Sequence, residues 1–136
     1  MLKLGLQRVD ITPDGPVPLQ GYGDRKHDSV GVHDPLYAFV WYFGKNEKRE
    51  HNTVWIVMDL CLLSIETTKA LQKSISDVSR FPSNNIRISA THTHSGPAAR
   101  FLSRDESAWA KEYYAKVVRV LSKAIVEIDD SSFEGY

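Results

Sequence analysis

The sequence predicts an α/β fold, a mixed sheet with helices packed on it, and three observations predict it. Residues 2–11, 36–43 and 53–60 read as strands, two later stretches repeat apolar residues at helical spacing, and strands alternate with helices after residue 53. That alternation calls for some parallel pairing, whereas the opening strands add antiparallel character. The expected order is β-β-β-α-β-α, and Ser132-Phe133-Glu134-Gly135-Tyr136 opens a further strand.

Leu2, Leu4 and Leu6 share one face at period two, and Val9 and Ile11 extend the pattern until Thr12-Pro13 breaks it. Between Asp10 and Pro35 the chain carries four prolines and four glycines with little periodicity, so a long Gly/Pro-rich loop is expected at about 12–35. A loop of that length in a compact domain is functional or disordered. Tyr37, Phe39, Val40, Trp41 and Tyr42 suit a strand, as do the Val, Ile and Trp residues of 53–60. The charged stretch 44–52, which includes His51, is expected as a solvated hairpin connection.

Ser64, ahead of Glu66 and Thr67, starts a helical pattern in which Ile65, Thr68, Leu71, Ile75 and Val78 form the apolar stripe, and Arg80 with Pro82 marks its end. Residues 86–90 alternate as a short strand. Asp105 and Glu106 stand where a helix start favours acids, and Trp109, Tyr113, Val117, Leu121, Ala124 and Ile128 then line one face of the longest helix. That periodicity marks Trp109 and Tyr113 as packing residues rather than a ligand platform.

Composition narrows the function classes. A chain of 136 residues can bury a core without disulfides or structural metal, and 17 basic against 17 acidic residues give no basic face for nucleic acid or an anionic membrane. The longest apolar run, 54–58, is far too short to span a bilayer. The start Met1-Leu2-Lys3-Leu4-Gly5-Leu6 lacks the zones of a signal peptide, so a cytoplasmic location is expected. The single Cys61 cannot close an intrachain disulfide, and its setting reads as a buried strand end.

Chemistry concentrates in Thr91-His92-Thr93-His94-Ser95-Gly96-Pro97. Two imidazoles two residues apart at a strand end project from the same face if the chain stays extended, where a metal could meet one or both. A catalytic zinc takes about three protein ligands, so two histidines do not complete a site. Ser95 is no nucleophile for His94, because neighbouring side chains of an extended chain point apart. His27 and His33 read as turn or surface residues, Gly21-Tyr22-Gly23 could bring backbone N–H groups to an anion or carbonyl oxygen, and Asp59 could orient a histidine or a loop.

Val9-Asp10-Ile11-Thr12-Pro13, Leu19-Gln20-Gly21-Tyr22-Gly23, Gly31-Val32-His33-Asp34-Pro35, Met58-Asp59-Leu60 and above all the Thr-His-Thr-His-Ser-Gly-Pro run resemble, in order and spacing, the amino-terminal part of the neutral ceramidase family. The resemblance implies a zinc amidase that hydrolyses the N-acyl bond of ceramide or a related lipid amide. It maps a zinc ligand onto His92 and a catalytic histidine of the substrate pocket onto His94, with Gly21 as a weaker substrate-binding candidate. The family's remaining zinc ligands and its active-site serine lie downstream. Residues 1–136 are therefore expected to form an incomplete portion of a larger catalytic domain, binding zinc weakly alone and exposing apolar surface that favours self-association or a partner polypeptide. Two alternatives stand beside this reading. One is a noncatalytic binding or assembly module that retains the fold. The other is a small metallohydrolase completed by His33, Asp34 or Asp59 or by oligomerisation.

Overall fold

A computed structural model describes residues 2–44, 51–131 and 133–135, and no side chain beyond Ile128. The charged connection at 45–50 lies outside the described residues. The elements run β1 Leu2–Asp10, β2 Tyr37–Gly44, β3 Thr53–Met58, α1 Ile65–Ser79, a 3-10 turn at Ser83–Asn85, β4 Ile86–Ala90, α2 Ala108–Ser131 and β5 Phe133–Gly135. The predicted order is borne out, including the closing strand.

The sheet order is β4-β3-β2-β1-β5. β1 pairs antiparallel with β2 and β5, and β2 with β3, while β3 and β4, joined through α1, run parallel. The mixed character follows from connection length: a short link folds β3 back along β2, whereas a helix crossing over the sheet returns β4 parallel to β3.

Both helices cover one face. Val40, Tyr42, Val54, Ile56, Met58 and Ile86 are buried there in one cluster with Leu71, Ile75, Val117, Leu121, Ile125 and Ile128. Gly5 permits this close approach, because a Cβ at that position would lie 2.6 Å from Cγ1 of Ile128. Tyr113, Val117, Leu121, Ala124 and Ile128 are buried as the periodicity predicts, with Trp109 packed at the margin.

The stripe expected on α1 needs correction. Ile65 and Val78 are exposed, and the buried line is Thr67, Leu71, Ile75 and Ser79. The cap sets this phase: Ser64 Oγ accepts from Thr67 N at 3.1 Å, which turns Thr67 inward to meet Ser103 Oγ at 3.1 Å. Arg80, with φ 61°, closes the helix by donating its N–H to Ser76 O. The acids expected at the start of α2 sit just outside it, where Asp105 Oδ1 accepts from Ser107 N at 2.9 Å.

The other face of the sheet is open. Leu2, Leu4 and Leu6 of β1, Trp41 and Phe43 of β2 and Trp55 of β3 retain 37–53% exposure. Leu6, Trp41 and Trp55 stand in register across three strands. Among the described residues, no helix is long and apolar enough to cross a membrane.

Candidate metal centre

Because β3 and β4 are parallel, their carboxyl ends share one edge of the sheet, the edge where α/β folds gather ligands. Asp59, Leu60 and Cys61 leave β3 there, and residues 91–97 leave β4. The long loop joins them: Gln20 N donates to Gly96 O at 3.0 Å, Ala98 N to Pro18 O at 2.7 Å, and Leu19 bridges Pro97.

The chain does not stay extended through the histidines. His92 adopts φ 67°, a left-handed conformation uncommon for a residue with a side chain. Its backbone N–H, turned toward β3, donates to Leu60 O at 3.0 Å. The expected meeting of the imidazoles nonetheless occurs, through this kink: Nε2 of His92 and Nε2 of His94 are 3.4 Å apart, with ring centroids separated by 5.0 Å.

The hydrogen bonding fixes one tautomer. Nδ1 of His92 lies 2.9 Å from the Cys61 carbonyl oxygen, which can only accept, so Nδ1 carries the proton. A neutral His92 therefore turns the lone pair of Nε2 toward His94. A carbonyl behind the ring is the partner that metal-ligating imidazoles commonly have.

Cys61 is buried, as its sequence setting predicts, but it is also part of the site, which the sequence did not reveal. Its Sγ lies 3.7 Å from His92 Nδ1. Among the described residues, Cys61, His92 and His94 are the one group of three whose candidate ligand atoms all lie within 4.8 Å of one another, and they could hold a metal ion. The sulfur sits beside the nitrogen that is already hydrogen-bonded, whereas the two Nε2 atoms face each other. The imidazole pair is accordingly the stronger donor set.

Gly21 packs directly on His94. At φ 121° it occupies a conformation that side chains rarely adopt, and a Cβ there would lie 2.6 Å from Cβ and Cγ of His94. Tyr22 stacks edgewise on the same imidazole, with centroids 5.2 Å apart, and Arg25 places its guanidinium 5.0 Å from the Tyr22 centroid.

Asp59 supports the loop and stands apart from the metal group: its carboxylate accepts from Tyr37 N at 3.0 Å and from Thr91 Oγ1 at 3.2 Å. His33 and Asp34 form an exposed pair at 2.7 Å, His27 contacts the Asp28 carbonyl, and His51 is exposed. None of these residues joins the metal group, so completion of the site by His33, Asp34 or Asp59 within this chain is not what the fold provides. Ser95 directs its N–H to Thr93 Oγ1 at 3.3 Å. A cleft of about 570 Å³ lies beside the motif and includes Thr12, His33, Asp34, Asp59, Thr93 and Ser95 in its wall, but neither His92 nor His94.

The sequence profile described as neutral/alkaline non-lysosomal ceramidase, N-terminal, matches residues 2–134. A neutral ceramidase of Oryza sativa subsp. japonica is 32% identical over 100 residues, covering 69% of this chain and 12% of that protein. The crystal structure of neutral ceramidase from Pseudomonas aeruginosa superposes with a TM-score of 0.70 at 19% identity, over 96% of this chain and 22% of that one. A ceramidase complexed with C2 gives 0.63 at 21% identity, over 96% and 21%. These structural likenesses concern the fold. The chain spans between about an eighth and just over a fifth of the length of these relatives.

Proposed function

Because the chain belongs to the neutral/alkaline non-lysosomal ceramidase family, we propose that it forms the histidine-bearing part of a zinc-dependent amidase that cleaves the N-acyl bond of ceramide or a related lipid amide. The observation that carries this reading is the pair of Nε2 atoms 3.4 Å apart, with the His92 tautomer fixed by the Cys61 carbonyl. That donor set fits zinc, which takes neutral imidazole readily. When bound, zinc supplies polarisation of the amide carbonyl and a lower pKa for bound water.

The chain's own residues have separate tasks. His92 offers Nε2 as a ligand, held by its Nδ1–H bond to Cys61. His94 faces the same position, and its Nε2, when not taken up by the metal, contacts the substrate and can move a proton. Gly21 presents backbone beside His94, where a substrate oxygen or amide would lie. Asp59 holds the loop through Thr91 and does not touch the reacting atoms.

The open face of the sheet supports the rest of this reading. Six large apolar side chains remain partly exposed on it. We propose that further catalytic-domain polypeptide, of the kind the longer relatives possess, covers this face and brings the remaining ligands. Sedimentation at two concentrations separates that occupant from a second copy of the chain, which would appear as a concentration-dependent dimer.

The test measures zinc content and fatty-acid release from a short-chain ceramide for wild type, His92→Ala and His94→Ala. Wild type is expected to retain zinc weakly, since fewer than three ligands are secured. His92→Ala loses it, and His94→Ala keeps part of it; whatever fatty-acid release the wild type shows is lost in both. Zinc retention unchanged by His92→Ala overturns the proposal.

A further inference from the structure

We propose that Gly21 and Tyr22 are positioning residues that hold the His94 imidazole against His92, so that the long loop sets the geometry of the histidine pair. This rests on the two imidazoles being the functional donors, and it concerns how their arrangement is maintained.

His94 follows the left-handed His92 and is only partly buried, so enclosure in the core does not fix its side chain. Two contacts restrict it, and a third backs one of them. Gly21 lies so close that a methyl group at that position would overlap Cβ and Cγ of His94, which makes the bare glycine surface the floor on which the side chain rests. Tyr22 meets the ring at 82°, a preferred arrangement for two aromatic systems. Arg25 lies over the Tyr22 ring in cation–π geometry and restrains that ring in turn.

The floor is held in place, because residues 18–20 are stitched to 96–98 by the two backbone hydrogen bonds of one antiparallel bridge. Gly21 and Tyr22 therefore arrive at His94 as part of one short ladder. The result is a preset distance between two nitrogens separated by a flexible step of sequence. Fixing such a pair beforehand removes the ordering cost that a metal or substrate would otherwise bear.

The experiment records imidazole resonances of metal-free protein by NMR and zinc affinity by calorimetry for wild type, Gly21→Ala, Tyr22→Ala and Tyr22→Phe. Tyr22 is 62% exposed, so its truncation leaves the core intact. Tyr22→Ala should remove the ring-current shift of the His94 carbon-bound protons and weaken zinc binding about 10-fold, the lower end of what loss of an outer-shell partner costs. Tyr22→Phe keeps the ring and should keep the wild-type shifts. Gly21→Ala should displace the His94 resonances further, with the His92 tautomer preserved.

Wild-type His94 resonances in both Gly21→Ala and Tyr22→Ala would overturn the proposal. If Gly21→Ala does not fold, Tyr22→Ala against Tyr22→Phe decides. The resonances are read without metal or substrate, so absence of amidase activity or of zinc binding in wild type would defeat the functional reading and leave this test intact.

Discussion

On the helical face of the sheet Val40, Val54, Ile56 and Ile86 are wholly buried, whereas Leu6, Trp41 and Trp55, which project from the opposite face of the same sheet, keep 40–53% exposure. Apolar character does not separate the two sets. The difference lies in what is packed on each face: α1 and α2 on one, and nothing among the described residues on the other. A strand that is apolar on both sides is suited to a sheet covered on both sides. In the chain taken alone, hydrophobic stabilisation is therefore concentrated on the helical face.

Substitution can break that comparison. Ile56→Ala, on the helical face, should cost roughly 2–5 kcal/mol through lost burial and the cavity left behind, read from the denaturant midpoint. A loss below about 1 kcal/mol would mean that the helices do not seal that face.

A smaller effect sharpens the account of how dry the helical side is. Tyr113 buries its hydroxyl without a hydrogen-bond partner among the described residues, and burial pushes its pKa upward, with the Asp10 carboxylate adding to the shift. An unfolded tyrosine titrates near about 10. Above that pH the unfolded chain releases a proton that the folded chain retains. The stabilisation is thus fully present below about pH 10 and falls by up to about 1.4 kcal/mol per further pH unit. Unfolding of wild type beside Tyr113→Phe between about pH 9 and 11 isolates the effect, because the variant should lack that part of the slope.

The smallest effect is expected on the open face, where Trp41→Ala should change the stability of the monomer by less than about 1 kcal/mol. A loss matching that of Ile56→Ala would show that something covers Trp41 in solution, and the contrast between the faces would vanish.

The sequence carried much of this architecture because the relevant signals are local. Ser64 and Arg80 bound α1 as their residue types suggest, and the spacing from Tyr113 to Ile128 marks the buried side of α2. Ile65 and Val78 were misleading, since helical spacing identifies a stripe without saying how wide its partner is. Among site residues, the His92 and His94 pair was legible from its place at a strand end. The approach of Cys61 to His92 was not, because it depends on two strands lying parallel and ending together. Gly21 was legible as backbone able to approach a ligand, yet its contact with His94 depends on a ladder between segments far apart in sequence.

The loop at 11–36 has a further consequence for chain entropy. It must close before β1 can align with β2, whereas only 45–52 separate β2 from β3. On a logarithmic loop law the longer closure is less favourable by about 1 kcal/mol. That burden falls on the segment bearing Gly21 and Tyr22, so the wall beside His94 belongs to the less economical of these two closures. Any ligand that rigidifies this wall acts against the entropy of the whole span from β1 to β2.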